Sequence, residues 1–212
     1  MRVVQATRFG GPEVLVTNEI PDPVAGPGEV VVGVSVVDTV FLDIHLRRGG
    51  AHPWFTMQPP YVPGMGVAGQ VISVGEGVDA GWVGRRVVSR TGRDGDDPER
   101  IGVPIGGYAA QAVAPERELF PVPDGLGLRE AAPLLSDGLT ALFLAEAALV
   151  RSGEWVLITP AGGGLGSLLV QLARAAGGQV VGAARGGRKL DLAREVGAEA
   201  VVDYSREDWQ ER

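Results

Sequence analysis

The chain has 212 residues, of which 45% are hydrophobic and 21% are charged, a composition typical of a soluble globular protein. A net charge of −7 disfavours nucleic-acid binding, because phosphates attract an excess of Lys and Arg. The chain contains no cysteine, which excludes disulfides, thiol nucleophiles and thiolate metal ligands.

The first residues and the apolar runs indicate where the protein works. Residues 1–7 lack the apolar core of a signal peptide. The run that comes nearest to a membrane helix, residues 141–150, contains Glu146 and falls short of the roughly 18 apolar residues that such a helix needs. The sequence therefore predicts a cytoplasmic protein that does not enter a membrane.

Residues 1–125 predict a β-rich domain. Valine-rich runs at residues 29–37, 69–74 and 86–88 are interrupted by glycine, and 13 of the 15 prolines precede Gly125. Short strands separated by Gly and Pro turns indicate an irregular β-barrel or sandwich.

Residues 126–212 predict a domain of alternating helices and strands. Helical segments at residues 128–135 and 139–150 precede an apolar strand at 156–159, which a glycine turn and a helix follow. A strand at 179–184, a helix at 190–196 and a strand at 200–204 complete the pattern. This βαβ order is typical of a dinucleotide-binding fold.

The glycine turn carries the phosphate-binding signal. Ala161, Gly163 and Gly166 occupy the three small-residue positions of the fingerprint, which permit a tight turn, a close approach of pyrophosphate and close helix packing. The helix N-terminus adds free N–H groups and a positive dipole end. The predicted pyrophosphate-binding residues are Ala161, Gly162, Gly163, Gly164, Leu165 and Gly166. The alternative is a glycine turn that binds no nucleotide.

The end of the second strand of this domain predicts the cofactor. An NAD-selective fold places a carboxylate there to bind the ribose 2′-OH, but this chain has Ala184, followed by Arg185, Arg188 and Lys189. Cations attract a 2′-phosphate, so the sequence predicts NADPH rather than NADH. The alternative is that these charges are the solvated start of a helix.

Several strings, in this order along the chain, resemble segments of the medium-chain dehydrogenase/reductase superfamily. Residues 61–78 resemble its Pro-Gly…Gly-x-Val…Val-Gly segment, 81–88 its G-D-R-V strand and 106–113 its G-G-Y-A-E-Y segment. Residues 43–49 resemble the D-x-x-x-R-x-G element of its zinc-free quinone oxidoreductase branch, which includes zeta-crystallin.

The resemblance implies a GroES-like irregular β-barrel domain at 1–125, followed at 126–212 by a Rossmann-type domain. That second domain holds the first βαβαβ half of the parallel sheet and is therefore incomplete. The resemblance also places Lys189 and Tyr204 at the 2′-phosphate and Thr140 at the nicotinamide. Met65 stands where zinc-dependent members have histidine, and the spacing of His45 and His52 does not support a metal pair with Asp43. We expect no metal.

The expected reaction follows from this cofactor and the lack of a metal. Without a Lewis acid, a quinone or an α,β-unsaturated carbonyl is an easier hydride acceptor than a simple carbonyl, since conjugation spreads the developing charge. Candidates for the acceptor pocket are Asp43, His52, Trp54 and Tyr61, none of which is a firm acid or base. Asp43 and Arg47 are also expected to pair as a helix salt bridge.

Two alternatives to an active reductase stay open. One is a non-catalytic NADPH-binding or structural member of the family, and the other is an enoyl reductase unit of a polyketide synthase. The half sheet adds an expectation about partners. Strand 156–159 would form an open apolar edge, so we expect a homo-oligomer, or a fragment that another chain completes through this edge.

Overall fold

The computed structural model describes residues 1–50, 58–92 and 105–209. The chain forms two compact units, Met1–Leu135 and Ser136–Arg212. The sequence predicted the division at 125/126. The structure instead groups residues 126–135 with the β-rich unit, because Ala131, Ala132 and Leu135 pack against Ala68 and Val88 of its strands.

The first unit is built from antiparallel strands. Strands β1 and β2 pair with each other, and five more strands form a sheet of order β6-β3-β4-β5-β7. The strands are β1 (Arg2–Ala6), β2 (Leu15–Glu19), β3 (Glu29–Asp38), β4 (Gly66–Val74), β5 (Arg86–Arg90), β6 (Gln111–Pro115) and β7 (Leu119–Pro121). Valine favours this arrangement because its branched side chain packs well on a pleated surface.

Helices of this unit are short. They are α1 (Phe41–Arg47) and α2 (Leu128–Ala131), with 3-10 turns at Pro12–Val14, Ala80–Trp82, Glu116–Glu118 and Ala132–Leu134. The main core lies on the five-stranded sheet, where Val30, Val32, Val67, Val71 and Val87 are fully buried. The predicted β-rich domain with Gly and Pro turns is therefore observed.

The second unit is a parallel sheet with helices. Its strands are β8 (Trp155–Ile158), β9 (Gln179–Ala184) and β10 (Ala200–Asp203), and its helices are α3 (Asp137–Ala148), α4 (Gly164–Ala175) and α5 (Gly187–Glu195). The strand order is β10-β9-β8, with Leu157 opposite Val181 and Val201 opposite Gly182. Val170, Val180 and Ala193 are buried between sheet and helices. This is the predicted three-stranded half sheet.

One edge of this sheet is open and apolar. Among the described residues β8 pairs with β9 alone, and Trp155 and Leu157 are 62% and 58% exposed. Phe143 of α3 is 70% exposed. A groove of about 390 Å³ lies between α3, β8 and α4. The predicted open edge is therefore present in the described part of the chain.

Within the described residues, no single helix has both the length and the apolarity that crossing a membrane requires. The bent pair Leu128–Leu134 and Asp137–Ala148 meets those two criteria when its helices are taken together.

Candidate functional site

The glycine turn connects β8 to α4 and is fixed to the neighbouring strand. Ala161 is fully buried, and its N–H donates to the carbonyl of Ala183 in β9 at 2.8 Å. Helix α4 follows, with Gly163 as its N-cap residue and no side chain capping it. The first N–H groups of a helix have no intrahelical acceptor. The turn therefore presents main-chain donors and the positive end of a 12-residue helix to an anion.

Two glycines of the turn have different surroundings. A Cβ on Gly166 would collide with the carbonyl oxygen of Pro160 and lie 2.9 Å from the Cα of Ala161, so the helix packs on the turn only with glycine at this position. A Cβ on Gly163 would meet no heavy atom within 4 Å. The outer face of the turn is therefore open, as the approach of a ligand requires.

Three cations follow the end of β9, beside this turn. Ala184 is buried, the chain turns at Gly186 with φ +83°, and α5 begins at Gly187. The side chains concerned are exposed, and within the described residues none of them forms an ion pair: Arg185, Arg188 and Lys189.

Two further contacts place this group around the turn. A Cβ on Gly162 would lie 2.5 Å from the Cβ of Lys189, so that lysine packs directly on the glycine turn. Tyr204 is half-buried just beyond β10 and donates its N–H to the carbonyl of Ala184 at 3.2 Å. The sequence-predicted cofactor residues of the turn, β9, α5 and β10 thus meet at the carboxyl ends of the strands.

The sequence reasoning missed two carboxylates of this region. Asp203 ends β10, and its Oδ1 accepts from the hydroxyl and the N–H of Ser205 at 2.6 and 3.0 Å. These bonds lower the pKa of Asp203, and its carboxylate also accepts a long bond from the N–H of Gly186 at 3.5 Å. Asp203 could have been found from the sequence, because it lies near the end of the strand predicted at residues 200–204. Asp137, in the first turn of α3, lies against Gly164, and no local pattern signals that contact.

Thr140 lies on the exposed side of α3. The Thr140 hydroxyl is exposed on α3 and donates to the carbonyl of Ser136, one turn earlier, at 2.9 Å. Within the described ranges, no group of three or more His, Asp or Glu side chains converges as a metal site. His52 and Trp54 lie outside the described residues.

Asp43 is a buried carboxylate in the first unit. It is 7% exposed and accepts from the N–H groups of Val40 and Gly64, both at 3.1 Å. Burial raises the pKa of Asp43, and these two bonds oppose the rise. The predicted salt bridge between Asp43 and Arg47 is wrong. Arg47 donates from Nε to the carbonyl of Gly10 at 3.3 Å, while the carboxylate is turned to backbone amides.

Two tyrosines lie near this carboxylate. Tyr61 is 6% exposed and belongs to the core cluster of Ala6, Val14 and Leu46, and its hydroxyl has no hydrogen-bond partner within the described residues. Tyr108, which the sequence analysis did not single out, is half-buried and donates its hydroxyl to Oγ1 of Thr39 at 3.3 Å. Burial raises the pKa of both phenols. Thr39 and Tyr108 line a groove of about 380 Å³.

Comparison with known families gives two matches that together span more than half of the chain. Residues 26–124 match the alcohol dehydrogenase GroES-like domain, and residues 164–212 match the zinc-binding dehydrogenase family. The first match covers most of the β-rich unit, and the second runs from α4 through β10. The predicted GroES-like domain followed by a Rossmann-type domain is confirmed.

Among curated proteins, the chain is 33% identical over 205 residues to the 2-haloacrylate reductase of a Burkholderia species, covering 95% of this chain and 58% of that protein. It is 34% identical over 208 residues to a quinone oxidoreductase of Pseudomonas aeruginosa, covering 97% and 59%. The chain thus spans somewhat less than two thirds of the length of these relatives.

Solved structures with the same fold include an NAD-dependent alcohol dehydrogenase, with a TM-score of 0.87 and 33% identity over 100% of this chain and 66% of that one. They also include the quinone oxidoreductase of Thermus thermophilus, described with its NADPH complex, with a TM-score of 0.77 and 36% identity over 97% and 60%. Fold, glycine turn and relatives agree: the chain belongs to the medium-chain dehydrogenase/reductase superfamily, in its quinone oxidoreductase branch.

Proposed function

We propose that this chain binds NADPH and forms part of a reductase that transfers hydride to a quinone or an α,β-unsaturated carbonyl. The observation that carries the proposal is the set of three exposed cations beside the glycine turn, with a buried alanine where an NAD-selective fold has a carboxylate. An NADPH complex of the Thermus thermophilus relative supports the same cofactor.

Each part of the cofactor has a proposed partner in the second unit. The pyrophosphate rests on the N–H groups at the start of α4, where the uncapped helix end attracts negative charge. The 2′-phosphate is held by Arg185, Arg188 and Lys189, with Tyr204 beside them. Thr140 is the proposed contact to the nicotinamide, although its hydroxyl is already bonded within α3.

NADPH supplies the hydride, and the protein has to orient the acceptor and exclude water. The names of the relatives support an electron-poor conjugated acceptor, since 2-haloacrylate is an α,β-unsaturated acid and quinones are conjugated diones. We keep Asp43, His52, Trp54 and Tyr61 as proposed residues of the acceptor side. The burial of Asp43 and Tyr61 favours a positioning role for these two over proton transfer.

Two measurements on the full chain test this proposal. NADPH is titrated first, and its fluorescence reports binding. NADPH is then mixed with a simple quinone and, separately, with 2-chloroacrylate, and the loss of absorbance of the reduced nicotinamide reports turnover. The proposal predicts saturable binding and a decay of absorbance that depends on the acceptor. A flat titration would contradict it at the binding step.

A second candidate function is a non-catalytic NADPH-binding or structural protein. The open edge at β8 favours it, because among the described residues β8 pairs with β9 alone and its outer edge has no partner strand. Binding of NADPH without consumption in the presence of either acceptor would select this function.

We also propose that a strand from another chain, in a homo-oligomer or a completing partner, pairs with β8. An edge strand presents unpaired N–H and C=O groups that another strand can pair with, and this edge also exposes the apolar side chains of Trp155 and Leu157. Sedimentation velocity of the purified chain measures its mass, and a stable monomer with Trp155 accessible to a soluble quencher would contradict the proposal.

The proposed location is the cytoplasm. Recovery of the native protein in a membrane fraction would contradict that location.

A further inference from the structure

A carboxylate lies against the proposed pyrophosphate-binding turn. Asp137 is in the first turn of α3, and Gly164 is the first residue of α4. A Cβ built on Gly164 would lie 3.1 Å from the Cγ of Asp137 and would collide with its Oδ2. The carboxylate therefore packs on the bare Cα of this glycine, and any larger residue at position 164 would push it away.

The surroundings of this carboxylate explain why it stays there. Asp137 is half-buried, and within the described ranges its carboxylate makes no hydrogen bond or ion pair. Helices α3 and α4 are 12 residues long, and both begin beside it. The N-terminus of a helix carries a partial positive charge, and neither helix has a side-chain cap. Asp137 is therefore an anion supplied by the protein itself at two positive helix ends.

We propose that Asp137 limits the affinity of this chain for dinucleotides by competing with their pyrophosphate for the N-terminus of α4. The inference rests on the proposed cofactor site, since pyrophosphate is placed at that same helix end. Two like charges a few ångströms apart repel each other, and the bound cofactor has to tolerate or displace this carboxylate. Asp137 is thus an affinity-determining residue that favours release of the nucleotide.

The experiment removes this charge while keeping the shape of the side chain. Asp137→Asn is compared with wild type and with Glu146→Gln, which removes one charge from the same helix. Glu146 lies nine residues further along α3, about 13 Å along the axis. Calorimetry measures the affinity for NADPH and for adenosine 2′-phosphate, which has no pyrophosphate. Asp137→Ser repeats the charge removal with a smaller side chain.

We expect Asp137→Asn and Asp137→Ser to bind NADPH roughly three- to tenfold more tightly, the scale of one like-charge contact at about 4 Å that is screened as in water. Adenosine 2′-phosphate should bind all four proteins equally, and Glu146→Gln should bind NADPH like wild type. If Asp137 had a merely structural role, its substitution would change the affinities for both ligands together, or for neither.

The other outcomes overturn the inference in distinguishable ways. If wild type binds NADPH and removal of the charge leaves its affinity unchanged, the inference fails and the proposed function stands. If removal of the charge weakens the binding of NADPH, the carboxylate helps to bind the cofactor instead of opposing it, and the inference fails again. If none of the four proteins binds NADPH, the proposed function fails and the inference fails with it.

Discussion

A buried carboxylate is costly unless the fold supplies donors for its oxygens. Asp43 has two such donors, the N–H groups of Val40 and Gly64, which connect the start of α1 to the segment before β4. This one side chain therefore holds two distant parts of the β-rich unit together. Local spacing suggested a pairing with Arg47, but the backbone donors are nearer and Arg47 bonds to Gly10.

The raised pKa of Asp43 predicts a pH dependence of stability. A carboxyl whose pKa is higher in the folded state binds its proton more tightly when folded. The contribution of Asp43 to the free energy of unfolding therefore falls as pH rises from the ordinary pKa of an aspartate, about 4, to the raised pKa of the folded state. Asp43→Asn does not titrate, but it loses one backbone acceptor, at a cost of about 1–3 kcal/mol.

Urea unfolding of both proteins between pH 4 and pH 7 checks this prediction. The stability advantage of wild type over Asp43→Asn should be largest at the acidic end and shrink as pH rises. An advantage that grew with pH would mean that the carboxylate is stabilised in its charged form, contrary to the effect of its burial.

The glycine turn predicts opposite phenotypes for two single substitutions. Gly166→Ala forces a methyl group against the carbonyl of Pro160, so the free energy of unfolding should fall by about 1–3 kcal/mol. The methyl group of Gly163→Ala would meet no heavy atom within 4 Å, so the free energy of unfolding should stay within about 0.5 kcal/mol of wild type. This methyl group faces the proposed pyrophosphate, so NADPH affinity should drop.

Chemical denaturation and NADPH titration of the two variants separate these effects. A stable Gly163→Ala that binds NADPH as wild type does would place the pyrophosphate elsewhere. A Gly166→Ala as stable as wild type would show that the turn moves away from the helix without cost.

At the scale of elements, strand β8 and helix α3 present an apolar surface that a single isolated unit would not be expected to expose. Trp155, Leu157 and Phe143 are all more than half exposed. Burial of such side chains stabilises by about 25 cal/mol per Å² of apolar surface, so this edge favours association. Exposed apolar edges are also sites of aggregation.

Trp155→Lys tests the role of this edge. A charge at its start opposes strand addition, so the variant should have a lower mass than wild type in sedimentation velocity and should aggregate less on heating. Phe120→Lys is the matched control, since Phe120 is an exposed aromatic residue of the other unit. Equal effects of the two substitutions would show that general surface polarity, and not the edge of β8, controls association.

At the scale of the whole molecule, local sequence patterns predicted most elements, and long-range packing decided the rest. The strand predicted at 179–184 is observed as β9 with the same bounds, because apolar β-branched residues and flanking glycines mark it. The helix predicted at 190–196 begins earlier, at Gly187, where the polar first turn carries no apolar signal.

The predicted division at 125/126 shows the limit of such reasoning. Residues 128–135 read correctly as helical, but their helical pattern does not tell which unit they pack on. The same holds for the candidate site. The turn and the cations could be found from spacing, whereas the contacts of Asp137 and Asp203 join segments far apart in the chain.

The most direct test measures the affinities for NADPH and for NADH of three proteins: wild type, the double variant Arg185→Ala/Lys189→Ala, and Arg151→Ala. The last is a control, since Arg151 is an exposed cation that lies just before the turn leading into β8. The account predicts that wild type prefers NADPH, that the double variant loses about tenfold or more of NADPH affinity while NADH is unchanged, and that the control behaves as wild type. Tighter binding of NADH by wild type, or an equal loss of both cofactors in the double variant, would contradict it.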